Sequence, residues 1–131
     1  MDRPVRLDPY LAMAGYAFSL QRGDLLKQRG EPLAARRNEV GLNEMDYGDV
    51  VLRFQDSGRL EEITIAAPVL HLGTLAIPFE NLQMFVQAQD AQSFWRARFL
   101  VSPAFGLAFD PTEPAWVTAL ARHCLPEWEA L

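Results

Sequence analysis

The residues that could perform chemistry are few, and their spacing matches no known type of site. His71, His123 and Cys124 are the candidates for a base, a nucleophile or metal ligands. Structural zinc sites use ligands at recognisable spacings, such as two cysteines separated by two residues, and the chain has none of these. His123 and Cys124 are neighbours on a predicted helix, so their side chains should point to different sides. We therefore predict no metal site, with Cys124 in the core and His71 as a hydrogen-bonded strand residue.

Paired carboxylates, which often perform general acid–base catalysis, also give a weak signal. Glu61 and Glu62 are adjacent on a predicted strand, where successive side chains point to opposite faces and cannot share a proton or a metal. Asp46 and Asp49 could converge on one side of a loop, where they would contact a metal or a partner, or simply be solvated. No serine lies in a nucleophile-elbow motif, and no glycine-rich phosphate loop is present. The sequence therefore predicts no catalytic residue and no cofactor, and we expect a protein that is not an enzyme.

The composition predicts a single globular domain over residues 1–131, with residues 1–9 as a loosely ordered lead-in. Hydrophobic residues make up 50% of the chain and charged residues 22%, which favours a packed core over disorder. No apolar run approaches the ~18 residues of a membrane span, and the N-terminus lacks the apolar region of a signal peptide. Cys124 is the single cysteine, so no intrachain disulfide can form. These features predict a cytoplasmic protein without membrane association.

The net charge narrows the class of partner. A formal charge of −5 argues against general nucleic-acid binding, which needs a basic surface. The same charge is compatible with a basic protein partner, and equally with mild acidity that only keeps the chain soluble.

A β-hairpin around an Asp-Ser-Gly sequence is the clearest structural pattern. Apolar and polar residues alternate on both sides of it, as expected of half-buried strands. A two-residue turn at Ser57–Gly58 would set Leu52 against Ile63 on the apolar face and Arg53 against Glu62 on the polar face. A three-residue turn would set Leu52 against Glu62 and place a charge in the apolar face, so we predict the two-residue turn.

The helices are predicted from spacing and from cap residues. Four apolar residues after Pro78 have helical spacing and predict an amphipathic helix: Phe79, Leu82, Phe85 and Val86. A shorter helix should begin with Asp24 as its N-cap and stop at Gly30. The segment 113–124 fits either a helix, which we prefer, or a final strand paired with 105–109.

The remaining segments predict strands. The segment 10–20 is ambiguous between strand and helix, and we prefer a strand over 15–20 because Gly15 weakens a helix. Further strands are predicted over 33–42, 69–72, 75–77, 94–101 and 105–109, with a polar loop over 43–49. The predicted fold class is α+β, an antiparallel β-sheet of about five to seven strands with two or three helices packed on one face.

The order of three segments resembles a known class of protein. The segments are GDLLKQRGEP, LRFQDSGRLEEITI and FGLAFDPTEPAWVTAL, with a helix between the second and the third. This order is similar to that of small bacterial immunity proteins encoded beside polymorphic or type VI secreted toxins. The resemblance implies a protein that binds its own toxin and blocks the active site. It transfers no functional residue, because such families contact their toxins through divergent surfaces.

An acidic segment from Glu44 to Glu62 is the predicted partner-binding site. Many toxins that act on nucleic acids carry basic substrate sites, which an acidic inhibitor can engage and reach quickly. The nominated contacts are five carboxylates expected to be exposed and one aromatic anchor: Glu44, Asp46, Asp49, Asp56 and Glu62, with Tyr47.

Two other functions remain open at this point. The first is a small-molecule-binding or enzymatic domain with His71 as the catalytic candidate and an aromatic pocket lined by Tyr16, Phe18, Phe99 and Phe105. The second is a structural subunit that uses an apolar face to form a homodimer.

Overall fold

The computed structural model describes residues 4–131 and contains thirteen β-strands and three α-helices within that range. The strands are β1 (Val5–Asp8), β2 (Ala12–Met13), β3 (Tyr16–Ala17), β4 (Ala34–Arg37), β5 (Asn43–Asp46), β6 (Val50–Phe54), β7 (Leu60–Ala66), β8 (Val69–Leu72), β9 (Leu75–Pro78), β10 (Phe94–Arg96), β11 (Phe99–Ser102), β12 (Leu107–Phe109) and β13 (Trp116–Leu120). The helices are α1 (Arg22–Arg29), α2 (Phe79–Gln89) and α3 (Leu125–Ala130), and a 3₁₀-helix (Arg122–Cys124) precedes α3. The predicted α+β class is confirmed.

The strands form two sheets. The larger sheet has eight strands, ordered β10-β11-β12-β13-β7-β6-β5-β4, and all its neighbouring pairs are antiparallel. The smaller sheet has five strands, ordered β3-β2-β1-β8-β9, and its pair β1 and β8 is parallel. The prediction of a single antiparallel sheet of about five to seven strands is therefore wrong.

Three segments, 94–101, 43–49 and 5–8, each add one strand to those predicted. The segment 94–101 is a hairpin and not one strand, because Ala97 has a left-handed φ of 51° in the turn between β10 and β11. The segment 43–49 begins with β5, which pairs with a strand on each side, and is not the predicted loop. Residues 1–3 lie outside the described range, but Val5–Asp8 pairs with β8 and buries Leu7. This part of the predicted lead-in is a strand.

The central hairpin, β6 and β7, has the predicted register over most of its length. Leu52 pairs with Ile63, and Arg53 pairs with Glu62. The apolar partners are fully buried, whereas the charged partners lie on the opposite face of the sheet. Burial of one face therefore decides the register, as the alternation of residues predicted.

The turn of this hairpin differs from the prediction. Phe54 pairs with Leu60, and the Gln55 N–H donates to Arg59 O at 2.9 Å, so three residues form the turn and not two. A β-bulge at Glu61 absorbs the additional residue and restores the register of the longer strand segment. The two-residue turn was predicted to keep charge out of the apolar face, but a bulge allows the longer turn without moving a charge there.

The inner face of the eight-stranded sheet holds the main core. Helix α2 buries Phe79, Leu82 and Val86 in this core, which confirms the predicted amphipathic stripe. The rings of Phe79 and Phe109 meet edge to face with their centroids 5.9 Å apart. Leu25 of α1 and residues of the smaller sheet belong to the same cluster, so these elements cover the inner face together.

The segment 116–120 is the strand β13, between β12 and β7, so the preferred helix is wrong and the strand alternative is confirmed.

The outer face of this sheet is covered in part by α3. Trp128 and Leu125 then pack on the outer face over Val101, Ala108 and Leu120. Helices thus lie on both faces of the sheet, and not on one as predicted. None of the helices within residues 4–131 is long and apolar enough to cross a membrane.

Candidate functional site

A row of alternating charges crosses the part of the outer face that α3 leaves open. Arg36, Glu44, Arg53 and Glu62 lie side by side on β4, β5, β6 and β7, because each is the register partner of the next. Opposite charges across neighbouring strands stabilise a sheet by about 0.2–1 kcal/mol per pair. We call these four residues the charged row.

Glu44 is the best-held member of the charged row. One oxygen of its buried carboxylate accepts a hydrogen bond from Arg36 Nε at 2.8 Å, and the other accepts one from Arg53 Nε at 2.7 Å. Burial acts to raise the pKa of Glu44, but the guanidinium groups of Arg53 and Arg36 outweigh it and hold the pKa below its ordinary value. The carboxylate is therefore ionised and fixed in one orientation near neutral pH.

Glu62 joins the charged row to the C-terminal helix. Arg53 Nη1 lies 3.5 Å from Glu62 Oε1, whereas Trp128 Nε1 donates to Glu62 Oε2 at 3.1 Å. Burial is the largest effect on this group, and it raises the pKa of Glu62 despite Arg53 and Trp128. The predicted exposed carboxylate is therefore a mostly buried one that holds α3 against the sheet.

An open cleft of about 250 Å³ adjoins the charged row on the outer face. Thr64 and Thr118 are register partners on β7 and β13, and their hydroxyl oxygens are 2.8 Å apart. Arg53 Nη1 donates to Thr64 Oγ1 at 2.7 Å, so the same guanidinium serves the charged row and the cleft. These three residues fix the sheet side of the cleft.

Aromatic and acidic side chains complete the lining of the cleft. Phe99 and Trp116 are 36% and 39% exposed, and the ring of Phe99 also packs edge to face against Trp128. Asp110 and Glu113 reach the cleft from the loop between β12 and β13. Hydrogen bonds from Thr112 hold the pKa of Asp110 below its ordinary value. Aromatic faces beside ionised carboxylates attract a cationic group, such as an arginine or lysine side chain.

The carboxylates predicted to contact a partner do not form one patch. Glu44 and Glu62 belong to the charged row, and Asp46 lies beside it, where it accepts a hydrogen bond from Arg36 Nη2 at 3.2 Å. Asp49 and Asp56 flank opposite ends of β6, roughly 23 Å apart along an extended strand. Their carboxylates form exposed ion pairs, Asp49 with Arg29 at 3.1 Å and Asp56 with Arg37 at 2.5 Å.

Tyr47 is in the core and not at the surface, where an aromatic anchor was expected. Its side chain is 8% exposed, and its hydroxyl donates to Gly30 O at 2.9 Å. The guanidinium of Arg29 covers the ring, 4.6 Å from its centroid. Tyr47 therefore joins β5 to the end of α1 and presents no free ring to a partner.

Phe99 is the one residue of the cleft lining that was predicted from the sequence to belong to a site, and the residues that were missed include Thr64, Trp116 and Thr118. Thr64 lies on the polar face of the predicted hairpin, so the alternation already indicated that it faces away from the core. Trp116 and Thr118 could be found only by treating the segment 116–120 as a strand next to β7. The helix preferred for that segment would have separated them from Thr64.

The aromatic pocket expected for a small-molecule domain is not formed by its predicted residues. Only Phe99 of that set lines the cleft. Phe105 stacks on Phe85 of α2 with ring centroids 5.7 Å apart. His71 lies on β8 in the smaller sheet, opposite Ala76, and takes no part in the cleft.

Comparisons of the chain with protein-family models, with curated proteins and with solved structures find no match.

Proposed function

We propose that this chain is an immunity protein, which binds a cognate secreted bacterial toxin and blocks its active site. The observation that carries the proposal is the outer face, where the charged row adjoins a cleft lined by half-exposed aromatic rings and carboxylates. The order of segments, which resembles that of small bacterial immunity proteins, supplies the class of partner.

The charged row suits binding because its side chains are already held in place. Arg36, Glu44 and Arg53 are fixed by mutual hydrogen bonds, and no buried side-chain nitrogen or oxygen in residues 4–131 lacks a hydrogen-bond partner. Ordering flexible side chains is one of the main costs of association. Folding has already ordered these side chains, so a partner that contacts this face would lose less of its binding free energy to ordering them.

The cleft suits a cationic side chain of the toxin. A lysine or arginine could lie against Trp116 and pair with Glu113, and both contacts are strongest when water is excluded. Basic groups are also what a toxin needs to hold a nucleic-acid or nucleotide substrate, so capturing one of them would block the active site. The net charge of −5 favours rapid encounter with such a partner.

The first experiment is affinity capture of the tagged chain from its own cells, with bound species identified by mass. We expect a stoichiometric protein encoded next to it, whose expression alone arrests growth and whose co-expression with this chain does not. Trp116→Ala and Glu113→Lys should each weaken that complex by roughly 30-fold, as for the loss of a typical interface hot spot. Trp95→Ala and Glu80→Lys are matched controls, because both residues are exposed and neither lines the cleft.

Other outcomes would reassign the surface or the function. If both cleft variants bind normally, the contact lies elsewhere, and charge reversal at Asp46 and Asp49 then tests the acidic segment itself. Affinity that is unchanged there as well would remove that segment too. Recovery of the chain alone, or with itself only, would contradict immunity. Thermal shifts with metabolites and light scattering would then separate a ligand-binding domain from a homodimer.

A further inference from the structure

Three side chains with metal-binding atoms meet where the C-terminal segment packs on β7. Glu61 is fully buried on β7, and His123 and Cys124 belong to the 3₁₀-helix. One carboxylate oxygen of Glu61, one ring nitrogen of His123 and Sγ of Cys124 all lie within 4.8 Å of one another. Glu61 Oε2 forms a hydrogen bond with His123 Nε2 and lies 2.5 Å from Cys124 Sγ. The prediction that His123 and Cys124 point to different sides is therefore wrong.

The β-bulge explains how a strand carboxylate reaches this cluster. Glu61 is the additional residue in the bulge, so its side chain does not follow the alternation that sends Glu62 to the charged row. The backbone of the bulge also holds the C-terminal segment, since the Ala121 N–H donates to Glu61 O at 2.9 Å. Cys124 Sγ lies 3.4 Å from the same carbonyl oxygen. These contacts hold the C-terminal segment against the bulge before any ion binds.

The surroundings of the cluster favour a cation. Glu61 and Cys124 are both fully buried, and the Glu61 carboxylate is in direct contact with the Cys124 sulfur and the His123 imidazole. On the other side, Arg59 Nε donates to Glu61 Oε1 at 3.0 Å and leaves Oε2 facing the sulfur and the imidazole. A divalent ion at that position would be within reach of all three donor atoms.

We propose that Glu61, His123 and Cys124 form a zinc-binding site, in which one carboxylate oxygen, one imidazole nitrogen and one thiolate sulfur hold a single ion. Zinc accepts this mixture of donors, whereas calcium and magnesium require oxygen ligands. Tetrahedral zinc places its ligand atoms about 3.3–3.7 Å apart, given bond lengths of about 2.0–2.3 Å. The 2.5 Å between Glu61 Oε2 and Cys124 Sγ is shorter than that range, and the three donor atoms lie within 4.8 Å of one another. Small side-chain rotations would bring the donors into place.

The fourth position of the ion would be taken by water. The His123 side chain is 35% exposed, so the site opens to solvent on the side of the imidazole. A carboxylate and a thiolate together balance the charge of the ion. Binding must release the thiol proton, so zinc affinity should rise with pH. The ion would clamp the C-terminal segment, and with it α3, to the bulge of β7.

The test uses the full chain, reduced and freed of metal by chelation, and titrated calorimetrically with zinc chloride alone. We expect one zinc per chain, with proton release that appears as a dependence of the heat on the buffer. His123→Ala, Glu61→Gln and Cys124→Ser should each lower the affinity by more than the roughly 10–100-fold typical of losing an outer-shell partner. His71→Ala removes the other histidine, which lies outside the cluster, and should bind zinc like the parent chain.

Cobalt(II) supplies a second readout, because a bound thiolate gives a charge-transfer absorption band. That band should appear in the parent chain and disappear in Cys124→Ser. His123→Ala changes a partly exposed side chain, so it keeps the test valid even if a variant of a buried ligand fails to fold. The proposal is overturned if the parent chain takes up no stoichiometric zinc. It is also overturned if the folded His123→Ala and Glu61→Gln variants bind zinc as tightly as the parent, since the thiol alone would then be responsible.

Discussion

Glu44 on β5 and Glu62 on β7 flank the guanidinium of Arg53 on β6, and their pKa values are displaced in opposite directions. Arg53 Nε donates to Glu44 at 2.7 Å, and Arg36 donates to the other oxygen. Glu62 is 3.5 Å from Arg53 Nη1, and burial dominates its pKa. Two guanidinium groups outweigh burial at Glu44, whereas burial outweighs Arg53 and Trp128 at Glu62, which is therefore costly to ionise.

Replacing each of these carboxylates should change the pH dependence of unfolding with opposite sign. The pKa of Glu44 is lowered, so its contribution is present above the ordinary glutamate pKa of about 4.3 and is lost as the pH falls through the lowered value. Glu44→Gln should lower the free energy of unfolding by about 1–3 kcal/mol near pH 7. Chemical denaturation at several pH values measures this, and the deficit should shrink below the ordinary glutamate pKa.

Glu62 should behave in the opposite way. Its pKa is raised, so its contribution is fully present below about pH 4.3 and is lost as the pH rises through the raised value. Glu62→Gln keeps an acceptor for Trp128 and removes this loss, so its free energy of unfolding near pH 7 should equal or exceed that of the parent. A deficit near pH 7 as large as that of Glu44→Gln would show that Arg53 outweighs burial at Glu62.

Gly106 is required by both its backbone conformation and its neighbour. Its φ is +58°, and a Cβ there would lie 3.0 Å from ring carbons of Tyr10. Gly106→Ala should therefore lower stability by about 1–2 kcal/mol from backbone strain, plus about 1–3 kcal/mol from overpacking. Gly15→Ala is the matched control, because Gly15 has a φ of +84° and a Cβ added there would meet no atom of residues 4–131 within 4 Å. Equal thermal shifts for the two variants would contradict the close packing of Tyr10.

Helix α2 contributes to the core through one face only. Leu82 is fully buried, so Leu82→Ala should cost about 2–5 kcal/mol in the free energy of unfolding. Met84 is two positions further along the same helix and 75% exposed, so Met84→Ala should change stability by less than about 0.5 kcal/mol. Urea unfolding of both variants measures the difference. A large effect of Met84→Ala would contradict the placement of α2.

Tyr47 was predicted to contact a partner, whereas the structure buries it, and one variant can distinguish these two roles. Tyr47→Phe removes the hydrogen bond to Gly30 O and should cost about 0.5–1.5 kcal/mol of stability. Because the ring is buried, the same variant should leave affinity for the captured partner unchanged. Calorimetric titration of partner and variant checks this, and a large loss of affinity with normal stability would restore Tyr47 as a contact.

Local sequence patterns were sufficient to predict part of this structure. The register of Leu52 with Ile63, the stripe of α2 and the stop of α1 at Gly30, where φ is +75°, were all predicted. Each depends on burial of one face or on backbone sterics, and both can be inferred from residues that are close together in the sequence. These features belong to the sequence because no distant segment is needed to produce them.

Contacts between distant segments decided the rest. The 116–120 segment has apolar residues compatible with a helix, and becomes a strand because the edges of β7 and β12 supply hydrogen bonds on both sides. Glu61 was predicted only to point away from Glu62 and to share no metal with it, yet the bulge buries it against Cys124, 63 residues further along the chain. The sequence by itself determined which faces are apolar and which residue types are present. Only the tertiary structure decided which polar groups meet, because that depends on how a bulge and a C-terminal segment pack across the sheet.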